Sequence, residues 1–351
     1  MLEIGCEGTA YEIGHTHGLS ATPQIRGTLQ FYTRTFYENT KLSWPEVETV
    51  ALGFMPILKK YPDLLEEMQG VADGAGISLA SIIALNVRTE ITYGLMKEDG
   101  CTTLAYHTPQ KSILSQNWDW KSEQKPNLIL LHIVPLNGPR IKMVTEAGII
   151  GKIGLNSSGV AVTLNAIASR GISPPNLPVH LGLRLALNQK SRQEAVRKLK
   201  EIGIAAACTI TVADPTGATA LECSHLGMEI LPMDSRGRIF HSNHYLLPPA
   251  EGVVDRQEPK DTLERVKRIE RLVDDMGEDE VTVEKIANLF KDEENLPTAI
   301  CRMPDGGGTS ATLFNIVSDL GERRALITLG RPSEPDEKFW VGFEELDGGR
   351  G

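Results

Sequence analysis

The chain changes character at one dipeptide, Gly100-Cys101. Upstream, residues 20–95 space their apolar side chains at helical intervals; downstream, residues 101–165 run in short stretches of period two. Any fold must therefore join a helical block to a set of strands at this point. Beyond it, residues 180–203 return to helix, 207–243 to strands and 261–291 to helix. Three strands near 311–317, 324–329 and 339–344 finish the chain. That order is not a regular strand–helix alternation, so a doubly wound parallel sheet is excluded. The reading is α+β, with antiparallel sheets covered by helices.

Local signals support the segments. Ser43-Trp44-Pro45-Glu46 is a capping box with proline at the first helical position, and Ser191 with Glu194 forms another. Gly74 and Gly76 end the helix opened by Pro62, and Asp261 caps a helix whose expected apolar face is Leu263, Val266, Ile269, Leu272 and Met276. Pro109, Pro126 and Asn137-Gly138-Pro139 punctuate the strands between Cys101 and Glu146. Residues 248–261, rich in Pro, Gly and charge, read as a surface loop.

A Gly-Cys step at such a boundary has a chemical use. If the Cys101 thiol attacks the Gly100 carbonyl, the peptide bond becomes a thioester, and hydrolysis frees a chain that begins with Cys101. The new α-amine, with a reference pKa of about 7.7–8.0, can act as base for its own thiol. On residue type alone Cys101 reads sooner as a small buried residue opening a strand, because a free cysteine is usually a core residue. A hairpin of two strands of similar length, 101–107 and 113–119, brings Asp119 level with Cys101, either to orient an amine or as an ordinary strand-end turn former. Asn243, at another strand end, is either an oxyanion donor or a polar turn residue.

Other chemistries fail on their motifs. No GxGxxG opens a helix after a strand, no GxSxG elbow is present, and residues 305–310 (DGGGTS) lack the lysine of a phosphate loop. His15 with His17, and His241 with His244, have no clear carboxylate partner and read as polar turn residues rather than metal ligands. Five cysteines without CxxC spacing suggest neither zinc nor a disulfide framework. A formal net charge of −10 argues against nucleic-acid or anionic-membrane partners. The expectation is a protein without a bound cofactor or metal, without a signal peptide or membrane span, and cytoplasmic.

The segments GTAYEIGHTHG (8–18), Arg88-Thr89-Glu90, DGCTT (99–103), QNWD (116–119), TEAGIIGKIGLNSSGVAV (145–162), HSNH (241–244), ATLFNI (311–316) and Leu329-Gly330-Arg331-Pro332 together resemble the isopenicillin N acyltransferase family, the acyl-coenzyme A:6-aminopenicillanic acid acyltransferases of penicillin biosynthesis. The matches run in order along nearly the whole chain. The resemblance implies a single-domain αββα sandwich of the N-terminal-nucleophile hydrolase type. It also implies self-cleavage into a small subunit, Met1–Gly100, and a large one, Cys101–Gly351, that remain together as a heterodimer. Cys101 is then the nucleophile, Asp119 an active-site aspartate and Asn243 an oxyanion-hole asparagine. Thr103, Trp120, Arg302 and Thr309 are expected to meet substrate, and Thr103 and Ser224 fall on hydroxyl positions that support processing or catalysis. The partners implied are small molecules: a β-lactam amine or amide, and acyl-coenzyme A as co-substrate.

Three departures stand out. Trp120-Lys121 occupies a place where two phenylalanines are expected. Gly308-Thr309 replaces a Ser-Arg pair, with Arg302 nearby. The ending Asp347-Gly348-Gly349-Arg350-Gly351 lacks a peroxisomal tripeptide. They leave two alternatives: a paralogous amidase on other small N-acyl substrates, and a non-catalytic relative that never cleaves.

Overall fold

A computed structural model of the chain describes residues 1–92, 100–257, 260–277, 281–304 and 310–343. It opens with strand β1 (Leu2–Gly8), then helices α1 (Ala10–Ser20), α2 (Thr22–Thr40), α3 (Trp44–Leu52), α4 (Met55–Leu58), α5 (Pro62–Ala75), α6 (Leu79–Asn86) and α7 (Arg88–Ile91). The expected capping box forms at Ser43, where the Glu46 carboxylate accepts from the Ser43 amide at 2.8 Å; at Ser191 only half of it does, the hydroxyl accepting from the Glu194 amide at 3.2 Å while the Glu194 carboxylate takes the Lys190 amide. The glycine-rich segment 8–18 has a packing reason. α1 lies so close on α5 that a Cβ on Gly14 would fall 1.9 Å from the Glu67 carbonyl oxygen, and one on Gly70 2.2 Å from that of Tyr11.

Beyond Cys101 come β2 (Thr102–His107), β3 (Ser112–Lys121), β4 (Leu128–Pro135), β5 (Ile141–Glu146), β6 (Ile153–Asn156) and β7 (Ala161–Ala166). Helices α8 (Val179–Leu187) and α9 (Arg192–Ile202) follow; the sequence reading had one helical stretch here. Strands β8 (Cys208–Asp214), β9 (Gly217–Cys223), β10 (Met228–Pro232) and β11 (Arg238–His241) lead to α10 (Thr262–Met276) and α11 (Val283–Leu289). The hairpin strands β12 (Ser310–Asp319), β13 (Arg324–Arg331) and β14 (Glu334–Gly342) end the described chain. Among the described residues of 248–261 there is no regular element, as expected of a loop.

The strands form two sheets, ordered β1-β4-β5-β6-β7-β8-β9-β10 and β11-β2-β3-β12-β13-β14. Every ladder is antiparallel except β1 with β4, a parallel pair that an all-antiparallel reading did not foresee. The sheets pack face to face. α1, α8 and α9 cover the outer face of the larger sheet, while α10 and α11 cover that of the smaller. The result is four layers, αββα. Central β3 is buried on both faces, so its polar residues each need a partner. Asn117, for example, donates to the carbonyls of Phe290 and Ile300 at 3.0 and 2.9 Å and pins the loop after α11. Among the described residues no helix is long and apolar enough to cross a membrane.

Candidate active site

Cys101 stands immediately before β2, at one end of the sandwich, and is 1% exposed. The register pairs Thr102 with Asn117, so the position opposite Cys101 falls to Trp118 rather than to Asp119. The hairpin reading was one residue out. The two residues still meet, because the Cys101 thiol lies 3.9 Å from the Asp119 main-chain carbonyl. The Asp119 side chain points to the other face, where its carboxylate accepts from the Thr312 hydroxyl at 2.6 Å and lies 3.5 Å from Nε of Arg302.

The main chain of Cys101 is held more firmly than its thiol. Its carbonyl accepts from Arg265 Nη1 at 2.8 Å, Asn165 Nδ2 at 3.0 Å and Ser242 Oγ at 3.2 Å. Arg265 is the hub. It also donates to the Thr102 hydroxyl at 3.0 Å, to Asn243 Oδ1 at 2.9 Å and to Asp261 at 2.6 Å. Asp261 in turn receives Arg302 Nη2 at 2.5 Å. Asp119, Arg302, Asp261 and Arg265 thus alternate in sign along one side of the Gly100-Cys101 dipeptide. Gly100 packs tightly here: a Cβ there would sit 2.4 Å from Nε of Arg302, so a larger residue has to push that guanidinium aside.

The Asn243 amide is oriented from both ends. Oδ1 accepts from Arg265, with the Ser242 hydroxyl shared between it and the Cys101 carbonyl at 3.2 Å each, so Nδ2 is the donor; one of its hydrogens goes to the Ala166 carbonyl at 2.8 Å. Thr103 is fully buried between the sheets, donating to Asn165 Oδ1 at 2.7 Å and accepting from Gln116 Nε2 at 2.9 Å. It braces Asn165 and so acts on the Cys101 carbonyl at one remove. Ser224 lies in the β9–β10 turn, where its hydroxyl bonds Leu226 and Gly227; no contact ties it to Cys101. Thr309 lies outside the described residues.

Trp120 and Lys121 part company at the end of β3. Trp120 is buried between the sheets beside Trp118, with the Arg88 guanidinium 5.0 Å over its ring. Lys121 turns outward, its amine 3.8 Å from Glu38 on α2. Trp120 therefore keeps one aromatic wall on the nucleophile's face. His241 has the carboxylate partner that its sequence neighbours did not offer: Nε2 lies 2.8 Å from Glu222 Oε1 on β9, and Nδ1 2.8 Å from the Ser242 carbonyl. The pair fixes the Ser242 peptide. His244, close by, is pushed down to about 4 by burial first, then by His241 and Arg265, and stays neutral at ordinary pH. Among the described residues no group of three or more His, Cys, Asp or Glu is placed to hold a metal.

The four-layer αββα sandwich, with Cys101 heading a strand of its smaller sheet, is the fold that the resemblance implied. In agreement, a crystal structure of a variant of conjugated bile acid hydrolase from Clostridium perfringens shares the fold, with a TM-score of 0.50 at 14% identity over 71% of this chain and 95% of that one. The family model for acyl-coenzyme A:6-aminopenicillanic acid acyl-transferase matches residues 106–334. Over 351 residues the chain is 40% identical to the 40 kDa form of acyl-coenzyme A:6-aminopenicillanic-acid-acyltransferase of Emericella nidulans, covering 99% of this chain and 98% of that one. The chain belongs to the acyl-coenzyme A:6-aminopenicillanic acid acyltransferase family.

Sequence reading missed Arg265, Asn165, Ser242, Asp261 and Thr312, all of which hold the site. Ser242 and Thr312 carried a signal, as the second residues of the HSNH and ATLFNI segments, and Asp261 was read only as a helix cap.

Proposed function

We propose that this chain is a self-processing cysteine acyltransferase. It replaces the acyl side chain of isopenicillin N, or acylates the amine of 6-aminopenicillanic acid, with acyl-coenzyme A as donor, through a thioester on Cys101. The observation that carries this reading is the clamp of Arg265, Asn165 and Ser242 on the Cys101 carbonyl, set beside a glycine packed against the Arg302 guanidinium.

In processing, the Cys101 thiol adds to the Gly100 carbonyl carbon and the Gly100–Cys101 C–N bond breaks, leaving a thioester. Water hydrolyses it, giving a Gly100 carboxylate and a free Cys101 α-amine. Met1–Gly100 and Cys101–Gly351 stay associated as a heterodimer. In transfer, the α-amine takes the thiol proton and the thiolate attacks the donor carbonyl. The second Nδ2 hydrogen of Asn243 meets the oxyanion, and the coenzyme A thiol leaves with a proton. The 6-aminopenicillanic acid amine then attacks the Cys101 thioester, forming the amide and restoring the thiol. A thioester suits both halves, since an amine displaces it readily when water is kept out.

The test supplies acyl-coenzyme A with and without 6-aminopenicillanic acid and follows free thiol and acylated product by mass spectrometry. Product that depends on both substrates supports the reading. Hydrolysis of simple amides without transfer replaces it with an amidase on other small N-acyl substrates.

A further inference from the structure

The end of the sandwich that carries Cys101 also carries the loops after β7, between β9 and β10, and between β11 and α10. These loops are stitched together next to the site. Asn243 Nδ2 reaches the Ala166 carbonyl, and the Arg256 amide donates to the Ala168 carbonyl at 3.1 Å. The His225 ring packs on Gly171, where a Cβ would fall 2.3 Å from it, and Lys260 Nζ lies 3.4 Å from the Arg256 carbonyl. Arg170, His225, Arg256 and Lys260 are therefore gathered at one rim, each exposed or half-buried.

In a chain of net charge −10 these cations stand out, because the described carboxylates beside them are hydrogen-bonded to other groups. Asp255 accepts the amides of Tyr245 and Gln257, Asp261 holds Arg265 and Arg302, and Glu222 holds His241 with the amides of Leu246 and Leu247. Among the described residues the exposed acids left nearby are Glu229 and Glu251. Among the described residues Arg170, Arg256 and Lys260 have no acidic partner. Between them lies an exposed apolar strip: Leu226 (55% exposed), Leu246 (39%) and Val254 (68%), with Leu226 reaching within 3.5 Å of a Cβ position on Gly252. Cations flanking exposed apolar surface suit an amphiphilic anion, and guanidinium groups suit phosphate oxygens.

We propose that Arg170, Arg256 and Lys260 form a phosphate-binding rim for the coenzyme A moiety of the donor, with Leu226, Leu246 and Val254 as the track for its pantetheine arm. This rests on the reading of acyl-coenzyme A as donor, and it places the phosphates outside the nucleophile's chamber.

Calorimetry of desulfo-coenzyme A on the Cys101→Ala chain tests it, beside the same chain carrying Arg170→Ala and Arg256→Ala. The expected result is a Kd about tenfold weaker in the double variant, with the parent's affinity falling as salt rises. Equal Kd values, or no binding by the parent, overturn the proposal. The processed enzyme supplies a second readout through the coenzyme A thioester and the N-acetylcysteamine thioester of one acyl group. The double variant should raise KM for the first and leave the second unchanged; an equal rise for both overturns the rim. Glu251→Gln, which removes a nearby acid, should not raise either KM, and a rise equal to the double variant's would overturn the charge argument. Binding of desulfo-coenzyme A without transfer from either thioester would refute the proposed function while supporting the rim.

Discussion

Two buried charge clusters lie on opposite faces of β3, and they do different work. On the helix side, Asp119, Arg302, Asp261 and Arg265 are balanced in charge and face the cleavage dipeptide, with Asp261 13% and Arg302 9% exposed. On the sheet side, Glu146 is enclosed by Lys152 at 2.6 Å, Tyr32 at 2.5 Å, Gln124 at 3.0 Å and Arg88 at 3.4 Å. Lys152 and Glu146 are fully buried, and Lys152 sits 4.0 Å over the Trp118 ring. Burial alone would raise the Glu146 carboxyl, but Arg88 and Lys152 outweigh it and hold the group well below the usual carboxylate range. The same two cations, after burial, keep His180 neutral. The first network spends its donors on the nucleophile's backbone. The second spends them on its own carboxylate and on two tryptophan faces, so it is a structural core that also shapes the aromatic wall.

Breaking the sheet-side cluster should produce the largest effect. Lys152→Met leaves Glu146 buried with fewer cations and should cost about 3–5 kcal/mol in urea unfolding, while the fraction that folds still cleaves itself. On the helix side the loss should appear in chemistry instead. Asn243→Ala should lower kcat for transfer by about 10²–10³-fold, with stability changed by no more than about 1–3 kcal/mol. Arg302→Lys cannot span Asp119 and Asp261 with one fork and should slow processing by about tenfold with a near-native melting curve. An Arg302→Lys protein that unfolds but processes normally would erase the distinction between the clusters.

The smallest effect sharpens the comparison by pH. Glu90, two residues from Arg88, accepts from the Val179 amide at 2.8 Å and is pushed up to about 7 by burial, against the pull of that amide and of Arg88. Between its ordinary 4.5 and about 7 the unfolded chain has lost a proton that the folded chain keeps. Stability from this group is therefore present at low pH and declines as pH rises through that window. Glu90→Gln should raise the melting temperature relative to the parent more at pH 8 than at pH 5. An equal difference at both would show that Glu90 does not titrate there.

How much of this was legible in the sequence depended on the physics involved. The helix-to-strand boundary, the helix caps and the Gly-Cys step follow from local spacing and were readable. Arg265 was not, because α10 was read as an apolar stripe through Leu263, Val266 and Ile269. Its most buried face runs through Arg265, Ile269 and Val273, while Leu263 is 36% exposed. A buried arginine rotates the stripe, and the carbonyl it holds, that of Cys101, lies 164 residues away. Asn165 looked like any strand residue for the same reason. Arg302 was singled out only as a neighbour of a changed loop, whereas its place against Gly100 depends on two chain segments meeting.

The most direct test is an intact mass of freshly purified protein beside its Cys101→Ala variant. The account predicts two species, Met1–Gly100 and Cys101–Gly351, in the parent and one uncut chain in the variant. A single 351-residue species in both would contradict self-processing at Cys101 and turn attention to a non-catalytic relative.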